Sequence, residues 1–224
     1  MNVIYPIKKQ YSDLIFNKIK PYEFRNNIPK NLQVGDIVFV YETKTTGCGK
    51  VIGYFEIESI VAIDRSISKV GTYYHMDDYA NLFCDEYTQE MIKKAKSIKV
   101  DGYYNSIVLS YLFQDEKLDY MLKNKKMPKD NFFTTDSIEY KKYNIAKEKE
   151  MKFCSDCDDW LTKIGYYNDY DESTWKYEIK VKNPTLFDTP IDITKFKLRD
   201  ETFVKVPPQG FFYTISEVSD LPQN

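Results

Sequence analysis

The stretch Lys18-Ile19-Lys20-Pro21-Tyr22-Glu23-Phe24-Arg25 places Lys20, Glu23 and Arg25 just after a short amphipathic segment. Proline lacks a backbone N–H and interrupts a helix, so Pro21 predicts that the helix stops there and that an extended strand follows. Side chains alternate along a strand, which puts Glu23 and Arg25 on one side and the two aromatic residues on the other. Lys20, at the helix exit, can reach the last helical carbonyl groups or the same pocket. We therefore expect a charged site at this stretch.

The residues around this stretch predict a small curled sheet. Apolar residues recur at three- and four-residue steps from Tyr11 to Ile19, and Ser12 is the candidate N-cap of this helix. Gly47 and Gly49 indicate a hairpin loop between two strands rather than a phosphate-binding loop. Strands are predicted at Val3–Ile7, Ile37–Tyr41, Val51–Ile63, Trp175–Val181 and Phe211–Ile215. So many strands with one helix favour a curled sheet over a parallel layered one.

The same stretch resembles the signature G-x-K-x-x-E-x-R of the ASCH family, small barrels of the PUA-like superfamily that are associated with RNA and modified nucleosides. Lys18 stands where the signature has glycine. The resemblance covers about the first sixty and the last fifty residues, and its context is Tyr5-Pro6-Ile7, Val34-Gly35-Asp36-Ile37-Val38, Tyr177–Val181, Asn183-Pro184, Thr189-Pro190-Ile191 and Pro207–Phe211. It implies an α+β fold, a PUA-like mixed β-barrel built from both chain ends.

The middle of the chain changes in character and predicts a helical insertion. Residues 72–165 are rich in lysine and glutamate and contain few runs typical of strands. Periodic apolar residues predict helices at Glu86–Ile98, Ser106–Lys123 and Ser137–Ile164, with a linker at Lys123–Asp130. We therefore expect a single domain, residues 1–224, whose barrel comprises residues 1–71 and 166–224 and whose insertion comprises residues 72–165.

Composition narrows the classes of function. The formal net charge is −2, so nucleic acid binding would depend on a local patch rather than on attraction by the whole molecule. No apolar run approaches the roughly 18 residues of a membrane helix, and no amino-terminal signal segment is evident, which favours a cytoplasmic protein without a membrane partner. Cys154-x-x-Cys157 lacks a second pair or nearby histidines, so we interpret both as partly buried helical cysteines and expect no metal site. No cofactor motif is present.

The candidate site consists of Lys20, Glu23 and Arg25, with Tyr5 and Tyr41 as residues on which a base could stack. The resemblance implies that the two cations hold a phosphate, ribose or carbonyl oxygen while the carboxylate accepts from the exocyclic amine of a base. The alternative, from spacing alone, is an exposed ion-pair cluster worth no more than about 1 kcal/mol. Binding of RNA or a nucleotide-like ligand is the favoured function.

Two other classes of function stay open at this stage. One is a hydrolase, with Lys20 and Glu23 as catalytic residues. Some members of the family remove the acetyl group from N4-acetylcytidine and use a threonine hydroxyl as the nucleophile at the position where this chain has Glu23. A carboxylate lacks that hydroxyl, so Glu23 would have to activate a water molecule instead. Ribonuclease activity is the other reaction that the resemblance implies. The second class is an adaptor that binds a protein partner through residues 72–165.

Overall fold

The computed structural model describes residues 2–63, 71–98, 111–126, 137–167 and 174–221. The chain forms two compact units, one comprising Met1–Ser68 with Ile164–Asn224 and the other Lys69–Lys163. We refer to them as the sheet unit and the helical unit. The α+β class is confirmed, because the sheet unit contains a six-stranded sheet and the helical unit is built from helices. The arrangement of both units as one ASCH domain stays a prediction.

The sheet unit is a curled half-barrel. Its strands are β1 (Asn2–Ile7), β2 (Tyr22–Arg25), β3 (Ile37–Glu42), β4 (Val51–Ala62), β5 (Tyr177–Ile191) and β6 (Phe212–Thr214), and helix α1 (Lys9–Phe16) follows β1. The order across the sheet is β2-β5-β4-β3-β1-β6. β1 runs parallel to β3, and the other neighbours are antiparallel. The mixed sheet agrees with the prediction, but within the described residues β2 and β6 are edges, so the barrel is open.

Apolar cores cover both faces of this sheet, and strand alternation assigns each residue to one of them. The first core, which we call the α1 core, contains Tyr5, Val38 and Val40 together with Ile15 of helix α1. The second, the C-terminal core, contains the strand residues that alternate with those of the α1 core, such as Ile4 and Phe39. They pack with residues from the end of the chain, namely Ile193, Phe196, Val204 and Leu221. Burial on both faces explains why β1 and β3 are almost continuously apolar.

Helix α1 differs from its prediction at both ends. It begins at Lys9, with Lys8 rather than Ser12 as the N-cap. Ser12 lies buried inside the helix, where its hydroxyl donates to the Lys9 carbonyl at 3.0 Å and to Glu42 Oε1 at 3.2 Å. The helix ends at Phe16, and Lys18 has φ 59°, in the left-handed region that glycine favours. Lys18 therefore adopts a backbone conformation that strains a residue with a side chain.

The helical unit contains α2 (Gly71–Phe83), α3 (Glu86–Ser97), α4 (Asp115–Asn124) and α5 (Ile138–Lys163). The predictions for α3 and α5 are confirmed. Within the described part of the helix predicted at 106–123, the helical residues are Asp115–Asn124, and residues 106–110 lie outside the described residues. Helix α2 was not predicted. The core of this unit includes Met76, Ile92, Leu112, Leu118, Met121 and Phe153. Among the described residues, no helix is long and apolar enough to cross a membrane.

Candidate functional site

A tight turn and an edge strand position the charged residues. The Lys18 and Lys20 N–H groups donate to the Ile15 and Leu14 carbonyls at 2.9 and 3.0 Å, which terminates α1 and turns the chain back toward the sheet. β2 then pairs with β5 in antiparallel register, with Glu23 opposite Ile179. Since Ile179 belongs to the α1 core, Glu23 projects toward the same face of the sheet as that core.

Arg25 links strand β2 to strand β1 through its side chain. Its guanidinium donates to the Pro6 carbonyl at 2.8 Å and lies 4.4 Å from the Tyr5 ring centroid. Pro6 and Tyr5 belong to β1, and three strands separate β1 from β2 in the order of the sheet. These contacts therefore span the open side of the half-barrel. Arg25 Nε also lies 2.9 Å from Glu23 Oε1, an ion pair in which the N–H is not aligned for a hydrogen bond.

Tyr5 is the buried polar residue beside this ion pair. It is 0% exposed, and within the described part of the chain its hydroxyl has no hydrogen-bond partner. Burial raises the pKa of Tyr5 well above its ordinary value, the nearby Arg25 charge opposes this shift, and the Glu23 charge adds to it. The phenol is thus neutral, and both its donor and its acceptor capacity are unused.

Lys20 is buried beside the same strand but faces aromatic residues. It is 2% exposed, its ammonium donates to the Ile164 carbonyl, and it lies 4.2 Å from the Phe24 ring centroid and 5.2 Å from that of Tyr11. Burial lowers the pKa of Lys20 to about 8, with the Glu23 charge acting in the opposite direction. Among the described residues no ion pair joins Lys20 to Glu23, although the Glu23 charge acts on the pKa of Lys20.

The turn that follows Ile164 covers Lys20. Gly165 has φ 80°, and a side chain there would lie 3.0 Å from the Tyr11 ring, so glycine is required both by its backbone angle and by its surroundings. The Gly165 carbonyl accepts from Trp175 Nε1 at 2.8 Å, and the Tyr166 ring packs edge-on against Phe24 at 5.4 Å. The ammonium is therefore enclosed by aromatic rings and one main-chain oxygen.

The structure brings four of the five candidate residues into one region and separates the fifth. Glu23, Arg25 and Tyr5 are in contact, and Lys20 lies next to them. Tyr5 pairs with Val40 in the parallel register of β1 and β3, so these two side chains lie on the same face of the sheet. Tyr41 is the next residue after Val40 and therefore lies on the opposite face, in the C-terminal core. The prediction of Tyr41 as a second stacking residue in this cleft therefore lacks support from its position.

Burial decides between the two interpretations of the charged stretch. Glu23 is 6% exposed and the Arg25 side chain 16%, so the alternative of an exposed ion-pair cluster is wrong. Tyr22 and Phe24, the two aromatic residues of β2, are also buried. The Pro6 and Ile164 carbonyls, which accept from Arg25 and Lys20, were not predicted because main-chain acceptors leave no signal in a sequence motif.

The remaining motifs are structural. Residues 43–50 connect β3 to the antiparallel β4, which confirms the hairpin loop. Cys154 and Cys157 both lie on α5, where burial raises the pKa of Cys154 to about 12 and that of Cys157 still further, so these thiols are unreactive. Within the described residues, no group of three or more His, Cys, Asp or Glu could hold a metal ion.

Comparison with known proteins gives distant structural similarities. No family model matches the chain, and no curated protein matches its sequence. One similar solved structure is that of ASCH from Zymomonas mobilis. It is 11% identical with a TM-score of 0.40, over 98% of this chain and 90% of that one. A tyrosine-to-phenylalanine mutant of the same protein is 12% identical with a TM-score of 0.39, over 98% of this chain and 92% of that one. Membership of the ASCH family stays a prediction.

Proposed function

We propose that this chain binds RNA or a modified nucleoside at the site formed by Glu23, Arg25 and Tyr5, with Lys20 beside it. The observation that carries the proposal is a buried ion pair next to a buried phenol that has no hydrogen-bond partner in the described part of the chain. Leaving a buried polar group unpaired costs about 1 to 3 kcal/mol. A ligand that accepts from or donates to the Tyr5 hydroxyl would recover that cost on binding.

The three side chains suit the edge of a nucleobase or the oxygen of a phosphate. A guanidinium presents N–H donors in a planar fork that suits phosphate and carbonyl oxygens, and a carboxylate accepts from an exocyclic amine. Arg25 is the most accessible side chain of the trio, since 16% of it is exposed against 8% of the Glu23 side chain. Access to the site is therefore expected on the side of Arg25, whose guanidinium covers the Tyr5 ring.

A pair of tyrosine variants tests the proposal. Tyr5 and Tyr41 are both buried, and both hydroxyls have no partner within the described residues. Phenylalanine at either position removes only that hydroxyl, so both variants should be at least as stable as the parent protein. Only Tyr5→Phe should weaken ligand binding, by about fivefold to tenfold for one lost hydrogen bond of roughly 1 kcal/mol.

Binding should be measured by calorimetric titration of cytidine, N4-acetylcytidine, other modified nucleosides and short single-stranded RNA. Arg25→Gln, which removes the cation, should weaken binding more than Tyr5→Phe does because it removes a charge-assisted contact. Lys182→Gln provides a control, since it removes an exposed lysine that pairs with Glu56 on the neighbouring strand. Equal affinities for Tyr5→Phe, Tyr41→Phe and the parent protein would refute the assignment of the site.

The pKa of Lys20 favours a second function, hydrolysis of an acylated nucleoside. A lysine with a pKa of about 8 exchanges protons near neutral pH, as a general acid or base must. In that reaction water would add to the amide carbonyl, the C–N bond would break, and the products would be a carboxylic acid and the free exocyclic amine. Incubation with N4-acetylcytidine and with labelled RNA tests this function. Turnover that Lys20→Ala abolishes while affinity is retained would establish it, and absence of turnover would leave binding alone.

A further inference from the structure

An aromatic and cationic surface lies beside strand β6 in the sheet unit. We call it the β6 platform and define it by Lys197, Arg199, Phe203, Phe211 and Tyr213. The Arg199 guanidinium lies 4.0 Å from the Tyr213 ring centroid, and the Lys197 ammonium lies 5.7 Å from that of Phe203. Lys197, Arg199 and Phe203 are exposed, and both other rings are partly exposed. Two cation and aromatic pairs are thus presented to solvent together.

The backbone holds the platform in place. Phe196 and Val204 enter the C-terminal core, and the Val204 N–H donates to the Phe196 carbonyl at 2.9 Å. Side chains alternate in this short antiparallel pair, so Lys197 and Phe203, which form a β-bridge, face outward. The Lys197 carbonyl accepts from the Thr214 hydroxyl at 2.7 Å, which joins the pair to the end of β6. The backbone that carries the exposed groups is therefore held in place without a ligand.

Ring contacts connect the platform to the candidate site. Tyr213 packs edge-on against Phe211 at 5.6 Å, and Phe211 packs edge-on against Tyr5 at 6.3 Å. Tyr5 in turn carries the Arg25 guanidinium. A continuous series of rings and cations thus extends from the buried ion pair to the surface at Arg199.

Charge favours a polyanion at this surface. The segment 193–206 contains four cations and two carboxylates, whereas the whole chain has a net charge of −2. One of the carboxylates, Asp200, is occupied within its turn, where Oδ1 accepts from the Thr202 N–H at 3.1 Å and from the Thr202 hydroxyl at 2.7 Å. The local excess of positive charge therefore lies among partly exposed rings, the combination that binds single-stranded nucleic acid.

We infer that the β6 platform binds the nucleotides adjacent to the one held at Arg25, so that the ligand is a single-stranded RNA rather than a free nucleoside. This inference rests on the proposed function of the Tyr5 and Arg25 site. The cations of the platform contact phosphates, and a base stacks on the exposed face of Phe203 or Tyr213. A free nucleoside would fill the site without reaching the platform.

The test compares ligands of increasing length in fluorescence anisotropy competition: cytidine monophosphate, a tetranucleotide and an octanucleotide of RNA. The parent protein should bind the octanucleotide at least tenfold more tightly than the mononucleotide, given typical base stacking on aromatic residues. Arg199→Gln and Phe203→Ser should each weaken octanucleotide binding about fivefold or more and leave mononucleotide binding unchanged. Lys182→Gln, away from the platform, should change neither affinity.

Tyr5→Phe separates the two proposals. Weaker binding of every ligand length in Tyr5→Phe, with a length-dependent loss in Arg199→Gln, supports both the site and the platform. Loss in Tyr5→Phe with no effect of Arg199→Gln and Phe203→Ser overturns the platform and retains the site. A length-dependent loss in the platform variants without an effect of Tyr5→Phe overturns the site, and with it the inference that the platform extends it. Equal affinity for all three lengths in the parent protein also overturns the platform.

Discussion

Replacement of Lys20 by methionine tests how the buried ammonium affects stability. Burial lowers the pKa of Lys20 from 10.5 to about 8. Each unit of pKa shift corresponds to about 1.4 kcal/mol, so the protonated lysine destabilises the folded protein by about 3 kcal/mol at neutral pH. Methionine is similar in length and removes the charge. It also removes the donor to the Ile164 carbonyl, which costs about 1 to 3 kcal/mol for a buried acceptor left unpaired.

These two effects on the free energy of unfolding nearly cancel at pH 7, so the pH dependence of that free energy is more informative than its value at one pH. Between the folded pKa of about 8 and the unfolded value of 10.5, the unfolded chain holds more protons than the folded one. The free energy of unfolding of the parent protein must therefore rise with pH across this interval. The expected gain from Lys20 between pH 7 and pH 10 is about 2 to 3 kcal/mol. Lys20→Met should lack this gain.

The assay is urea unfolding of the parent protein, Lys20→Met and Lys30→Met at intervals from pH 7 to pH 10. Lys30 is an exposed lysine, and its variant should follow the parent at every pH. Subtracting the unfolding free energy of the parent from that of a variant at each pH removes the contribution of the titratable groups that both proteins share. A constant difference in unfolding free energy between Lys20→Met and the parent would show that the ammonium is hydrated in the folded state. The burial described here would then be wrong.

Three further substitutions have definite expected results in denaturant unfolding. Lys18→Gly should raise the free energy of unfolding by about 0.5 to 1 kcal/mol because Lys18 has φ 59°, whereas Lys18→Ala, which keeps a Cβ, should give no such gain. Gly53→Ala should destabilise the protein by about 3 kcal/mol because the new Cβ would collide with the Thr185 carbonyl, and a near-neutral result would contradict the close approach of β4 and β5. Glu42→Ala should cost about 2 to 3 kcal/mol, since it removes the carboxylate that accepts from the Cys48 N–H at 2.7 Å, and an unchanged midpoint would show that this loop does not depend on it.

Sequence patterns predicted the elements whose signals are local. Alternation and turn glycines located the β3 to β4 hairpin, and apolar periodicity located α3 and α5. The start of α1 was misplaced because Ser12, a good N-cap residue, turns instead to the buried Glu42 carboxylate, a tertiary contact that local propensity does not register. Helix α2 was missed because Met76 and Ala80 are the only fully buried apolar residues among its described side chains, too few to produce a clear helical periodicity.

The candidate site was predictable only in part, because some of its contacts depend on tertiary structure. Alternation along β2 correctly placed Glu23 beside Arg25. The acceptor for Lys20 lies 144 residues further along the chain, and the acceptor for Arg25 lies on a strand that reaches it only because the sheet curls. Both contacts depend on the complete fold, so no short motif could indicate them.

Buried polar groups by themselves do not identify a binding site, and Tyr41 shows why. Its hydroxyl, like that of Tyr5, is buried and has no hydrogen-bond partner within the described residues, yet Tyr41 belongs to the C-terminal core and not to the cluster of Glu23 and Arg25. What distinguishes Tyr5 is the Glu23 and Arg25 ion pair beside it, together with a series of rings that reaches the surface. Arg25 also links β2 to β1 by donating to the Pro6 carbonyl, so a purely structural role would make Arg25→Gln destabilising. Removal of the Tyr5 hydroxyl breaks no such contact, which makes Tyr5→Phe the substitution that separates binding from folding.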